Sequence, residues 1–297
     1  ARQPMTTRPR RILTGRDLEI LTALDRTPLT AGQLLKLAGT FTNPFGSERM
    51  VRERLAALAS AGWVQAGRYA TVGAGAGQNY YQLSRVGYRI LYGESAEAPT
   101  KRYFAPLSLP RQYHTRALAD FIVHTIVAAH AAGVTFTDFY RENTLKLTVG
   151  NDCLYPDAAF QLVLPDGRTF NYLVELDNHT EQIRSTKDAD SWQKKARLYD
   201  DLQSSSSNRF RVLVVTTRSG PRLKTILALG AAVASNRQRS LLLGVPLASY
   251  LAVPTAIQSP VFLDHHLRAV SLVTGGVPAT VTSLHNSTTA SGAAAPQ

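Results

Sequence analysis

Asp157, Glu175 and Asp177 lie in the stretch LYPDAAFQLVLPDGRTFNYLVELDN, and their type and spacing are the chain's clearest opening for chemistry. Two alternating apolar runs joined by PDGR read as a β-hairpin. Asp157 and Glu175 each stand nine residues from Asp166 at the turn centre, so they are expected to face one another across the strands. Glu175 and Asp177, two residues apart, share a strand face. Close carboxylates repel unless they are solvated or a cation neutralises them, and hard oxygen ligands suit Mg²⁺ or Mn²⁺. Such an ion activates water and stabilises charge at a phosphorus under attack. The competing reading is an ordinary hairpin with acidic edges.

The composition points to a polyanionic partner. Among 297 residues, 33 Lys and Arg stand against 21 Asp and Glu, a net charge of +12. That balance fits nucleic acid or an anionic membrane surface. No apolar run approaches the roughly 20 residues of a spanning helix, and ARQPMTTRPRRILTG lacks the apolar segment of a signal peptide. A cytoplasmic, reducing setting without a membrane partner is expected. The single cysteine, Cys153, excludes an internal disulfide and a Cys cluster for zinc, and reads as a small core residue. Walker-type glycine loops are absent, and GAGAG lacks the following helix of a dinucleotide fingerprint.

Length and pattern divide the chain into a basic arm at 1–13, a domain at 14–100, an α/β domain at 101–270 and a flexible tail at 271–297. Thr14 is a predicted N-cap for a helix placing Leu18, Leu21 and Leu24 inward, and Thr30 caps a second. Ser47 caps a third, with Val51, Leu55 and Leu58 inward and Arg49 and Arg52 outward. Strands at Trp63–Tyr69 and Asn79–Leu83, joined by a tip with Gly73, Gly75 and Gly77, precede a helix starting after Ser84. That order is the order of a winged helix-turn-helix domain, in which the third helix can enter the major groove of double-stranded DNA. Arg49, Arg52 and the hairpin's Arg68 are the expected DNA contacts; a solvated charged face or a protein-docking module is the alternative.

In the second block, RQYHTRALADFIVHTIVAAHAAG is a long helix with Leu118, Ile122 and Ile126 on one stripe. VTFTDFY and TLKLTVG then flank Arg141 and Glu142. The hairpin follows, then an amphipathic helix through SWQKKARLYDDLQ, the all-apolar strand RFRVLVVTT and the helix GPRLKTILALGAAVAS. This is an α/β sandwich with a mixed sheet, so the whole chain is α+β. His114 sits among apolar neighbours and reads as a core histidine; the pair His265–His266 lacks a metal-ligand spacing.

PDAAF and VELD resemble the PD and (D/E)XK segments of the PD-(D/E)XK nuclease superfamily, whose αβββαβ core the element order follows. With the preceding winged helix, ELDNHTE and KKARLY, the chain is similar to the replication-relaxation family of plasmid and mobile-element proteins over roughly residues 14–217. The resemblance implies a nuclease-like domain with Asp157, Glu175 and Asp177 as metal ligands and catalytic carboxylates. Where the superfamily carries Lys, two residues after the second acid, this chain has Asp177. A substitute is expected from the following helix: with Trp192, Ala196 and Tyr199 inward, Lys195 flanks the buried stripe, whereas Lys194 and Lys187 point outward. Lys195 is the candidate to position the attacking water; a lysine lying along the surface is the alternative. Glu142 and Glu181 are secondary candidates, Glu181 through its match to HTE.

Three functions remain: a Mg²⁺- or Mn²⁺-dependent nuclease nicking or cutting DNA, a replication or mobilisation factor with an inactive nuclease fold, and a transcriptional regulator whose second domain dimerises. Homodimers and replication or mobilisation proteins are candidate partners beside DNA.

Overall fold

The computed structural model describes residues 12–70, 77–178, 182–183, 191–218 and 220–273. Residues 1–11 of the basic arm, the hairpin tip with Gly73 and Gly75, His179, Glu181 and Lys187, and the tail from residue 274 lie outside these.

The front of the chain forms helix α1 (Gly15–Arg26), strand β1 (Leu29–Thr30), helices α2 (Ala31–Leu37) and α3 (Glu48–Ser60), strands β2 (Val64–Arg68) and β3 (Asn79–Leu83), and helix α4 (Arg85–Tyr92). The caps stand where the sequence places them. Thr14 and Thr30 form capping boxes with Asp17 and Gln33, and Ser47 and Ser84 accept from the third helical residues' amides. The inner face of α1 differs from expectation: Leu18 is half exposed, and Ile20 is buried with Leu21 and Leu24. Asp17, buried and gripped by Arg54 of α3, takes the inward place one turn before Ile20 and Leu21. β1 and β2 pair antiparallel with β3.

Helix α5 (Leu109–Ala131) joins front and back. Gln33 of α2 donates to Asp120 at 2.8 Å. Gln112 accepts from Ala70 N at 2.6 Å and donates to Arg68 O, where β2 ends and runs into the hairpin tip. One apolar cluster runs from Ile20, Leu34 and Leu55 through Phe121 and Ile122 of α5 into the sheet.

Strands β4 (Thr135–Tyr140), β5 (Leu147–Val149), β6 (Asp152–Leu154), β7 (Ala158–Val163) and β8 (Thr169–Asp177) follow. Next come helix α6 (Trp192–Ser205), β9 (Phe210–Thr216), α7 (Gly220–Val233), β10 (Leu242–Pro246), α8 (Leu247–Leu251), β11 (Phe262–Leu263) and β12 (Ala269–Val270). The described residues thus form an α+β structure with eight α-helices and a mixed seven-stranded sheet, β12-β11-β10-β9-β8-β7-β4, parallel at β8–β9 and β9–β10. β5 and β6 do not join it and pair as a separate ribbon. Cys153 on this ribbon is exposed rather than core, because only one face of β5–β6 packs on the protein. The run LLLGVP extends the sheet beyond β9, which the sequence reading left unassigned.

Alternation along β8 sorts its side chains between two layers. Tyr172, Val174 and Leu176 join the cluster under α5, and Leu173 joins Trp192, Ala196 and Tyr199 of α6. Glu175 and Asp177 therefore face the α6–α7 layer.

Candidate functional site

The β7–β8 turn fixes the frame of the site. Leu164 N bonds Arg168 O, Asp166 accepts from Arg168, and Gly167 takes a left-handed φ of 85° that suits a residue without a side chain. The turn centres on Asp166, and the pairing Ala158↔Val174 continues to Asp157 opposite Glu175.

Glu175 is 3% exposed. Its Oε2 accepts from Lys195 Nζ at 2.8 Å and its Oε1 from the Tyr199 hydroxyl. Ser191 caps α6, whose Trp192–Ala196–Tyr199 stripe packs inward and swings Lys195 over the strand end. Burial drives the Glu175 carboxyl up to about 7; Lys195 opposes the shift and the charge of Asp157 adds to it.

Asp157 stands just before β7, where both layers are within reach. Its Oδ2 accepts from Leu176 N at 2.7 Å, and its Oδ1 lies 3.2 Å from His114 Nε2. His114 belongs to the first turns of α5, and its Nδ1 lies 3.1 Å from Asn178 Nδ2. Asn178 Oδ1 in turn accepts from Thr217. The His114–Asp157 contact is short but poorly aligned, so the buried Nε2 lacks a well-formed hydrogen bond. Burial lowers the imidazole pKa, and the close Asp157 carboxylate outweighs it, leaving the net value raised. Glu142, after β4, pairs with Arg111 of α5 at 2.7 Å. One ligand atom from each of His114, Glu142 and Asp157 lies within 4.8 Å of the other two.

The acidic cluster is thus grouped differently from the sequence expectation. Among the described residues, the set of three with cation-ligand spacing is His114, Glu142 and Asp157, not Asp157, Glu175 and Asp177. Asp177 is withdrawn from it. Its carboxylate receives the Arg222 guanidinium through both oxygens, at 2.7 and 2.8 Å, and Trp192 Nε1 at 3.3 Å. A bidentate arginine neutralises this buried acid. Arg222 and His114 escape sequence reading because each reaches the site from a distant helix. An early basic residue on α7 and a histidine one turn after Arg111 were the available signals.

On the front helix, Arg49 and Arg52 are exposed, and each is held by a glutamate four residues away: Arg49 by Glu53 at 2.8 Å, Arg52 by Glu48 at 3.2 Å. Arg52 and the exposed Arg68 line one cleft between α3 and the β2–β3 hairpin. Glu181 and His179 fall outside the described residues.

These features define an α+β protein whose mixed sheet carries, at one end, an acidic cluster backed by lysine and arginine. Residues 21–213, more than half of the chain, match the replication-relaxation family, and the chain belongs to that family. No curated protein and no solved structure matches the chain. Among the described residues, no helix is long and apolar enough to cross a membrane.

Proposed function

We propose that the protein binds double-stranded DNA in the replication or relaxation of plasmid or mobile-element DNA, and that its sheet carries a metal-dependent nicking or cleaving site. Residues 14–100 act as a winged helix-turn-helix reader, with Arg49, Arg52 and Arg68 toward the DNA. Residues 101–270 act as a PD-(D/E)XK-like nuclease domain. Family membership and the order α5-β4-β7-β8-α6-β9 support this reading. The observation that carries it is Asp157, shared between the His114–Glu142 cluster and the Glu175–Lys195 pair.

The donor set fits a divalent cation: two carboxylates and an imidazole suit Mn²⁺, while Mg²⁺ favours an all-oxygen shell. Asp157, His114 and Glu142 would hold the ion, with Glu175 close by. When bound, the ion supplies charge neutralisation and a more acidic water. Asn178 Nδ2 faces His114 Nδ1, which leaves the imidazole proton on Nε2 toward Asp157, so His114 would ligate an ion through Nε2 only after that proton leaves. Lys195 opposes the protonation of Glu175 that burial favours and offers ammonium protons to a water or phosphate oxygen. Asp177 orients Arg222 and Trp192 around it.

The second reading is a DNA-binding factor without cleavage. It is favoured by Asp177 at the lysine position and by Arg111 and His114 already satisfying Glu142 and Asp157. A transcriptional regulator that dimerises is the third. Supercoiled plasmid incubated with Mn²⁺ or Mg²⁺ separates them. Relaxed or linear product from the wild type but not from Asp157→Ala supports the nuclease; intact binding without product under either metal supports the second.

A further inference from the structure

At the opposite end of the sheet, Arg209, Arg211, Arg239 and Arg268 line a cleft of about 560 Å³ with Asn171 and Ser240. Arg211 pairs in register with Tyr172, on the α5 side, whereas Glu175 faces α6. Asn171 and Glu175 are four residues apart on β8, about 13 Å along the strand, so this cleft is separate from the carboxylate site.

The donors here are not used up. Arg211 and Arg239 each bury a terminal Nη1 that finds no hydrogen-bond partner among the described residues, although a buried cationic donor without one is costly. Arg239 uses only Nη2, donating to Phe210 O at 3.1 Å. The nearby carboxylate, Asp264, is committed to Arg268 and to the amides of His266 and Arg268. Arg211 and Arg209 are close enough that their charges, after burial, push the Arg239 guanidinium down to about 10. Crowded like charges with unfilled donors at an open cleft are relieved by an anion, and the guanidinium fork matches phosphate oxygens.

We propose that this cleft binds a phosphate-type oxyanion through Arg211 and Arg239, with Arg209 at its rim. The anion comes from a nucleic-acid backbone or from a free nucleotide, and the volume leaves room for more than one phosphate group.

The test uses the full chain. Melting is followed against inorganic phosphate, with chloride at matched ionic strength, for the wild type, Arg239→Gln and the exposed-site variant Arg209→Gln. Phosphate is expected to raise the wild-type melting temperature by several degrees in a saturable way. Both variants, relieved of repulsion, should fold and should need about tenfold more phosphate for the same gain. Duplex DNA and AMP then distinguish the source. Weaker duplex binding by Arg239→Gln with a salt slope lower by about one identifies a backbone phosphate. AMP stabilisation lost in the variant, with duplex binding unchanged, identifies a free nucleotide. No phosphate-specific gain in the wild type, or equal gains in all three proteins, overturns the proposal.

Discussion

Lys195 Nζ lies 2.8 Å from Glu175 Oε2, so helix α6 delivers a cation to the strand that carries both Glu175 and Asp177. The pair gives stability a direction with pH. Folding raises the Glu175 carboxyl from 4.5 to about 7, chiefly through burial, so the folded state holds this proton more tightly than the unfolded chain. Its stabilising contribution is complete below about pH 4.5 and is lost as the pH climbs through 7. Urea midpoints of wild type and Glu175→Gln between pH 4 and 8 check this. The wild type should lose stability across the window relative to the variant, and parallel profiles would refute the assignment. Lys195→Met should steepen the loss, costing about 3 kcal/mol at pH 8.

The Arg111–Glu142 pair competes with any cation for the Glu142 carboxylate. Arg111→Ala should tighten Mn²⁺ binding several-fold in calorimetric titration, and Glu142→Gln should weaken it by about tenfold. Unchanged affinity in both variants would exclude Glu142 as a ligand.

Asp177 is expected to behave as a structural anion. Asp177→Asn removes the anion that neutralises the buried Arg222 guanidinium and should cost about 3 kcal/mol in chemical denaturation. The rise in melting temperature on adding Mn²⁺ should remain. Loss of that rise with little loss of stability would return Asp177 to the ligand set.

Glu48 and Glu53 each neutralise an arginine on the face of α3 proposed above to meet DNA. Freeing Arg52 by Glu48→Gln, or Arg49 by Glu53→Gln, should strengthen duplex binding, while Arg52→Ala should lower the salt slope by about one. Fluorescence anisotropy across a salt series measures both effects. If all three variants bind as the wild type does, α3 is not the reader.

Much of this geometry was legible because it depends on local periodicity. The symmetry of the PDGR turn places Asp157 opposite Glu175, and a period of 3.6 puts Lys195 beside the Trp192–Tyr199 stripe. The caps at Thr14, Thr30, Ser47 and Ser84 are equally local. What stayed hidden depends on long-range approach. His114 looks like core from its neighbours on α5, yet the sheet end brings Asp157 to it. Asp177 looks like a third ligand until Arg222, 45 residues later, closes on it. Leu18 was expected inside because spacing alone does not reveal that Asp17 would be buried beside it.

Helix α5 sets Gln112 and His114 two residues apart, one holding the tip end of strand β2 and the other touching Asp157. The hairpin's anchor and the acidic cluster therefore share a single helical turn, with no linker between them to absorb strain. At about 100° per residue the two side chains leave α5 on nearly opposite faces, so one turn of one helix reaches both the hairpin and the carboxylates of the sheet end.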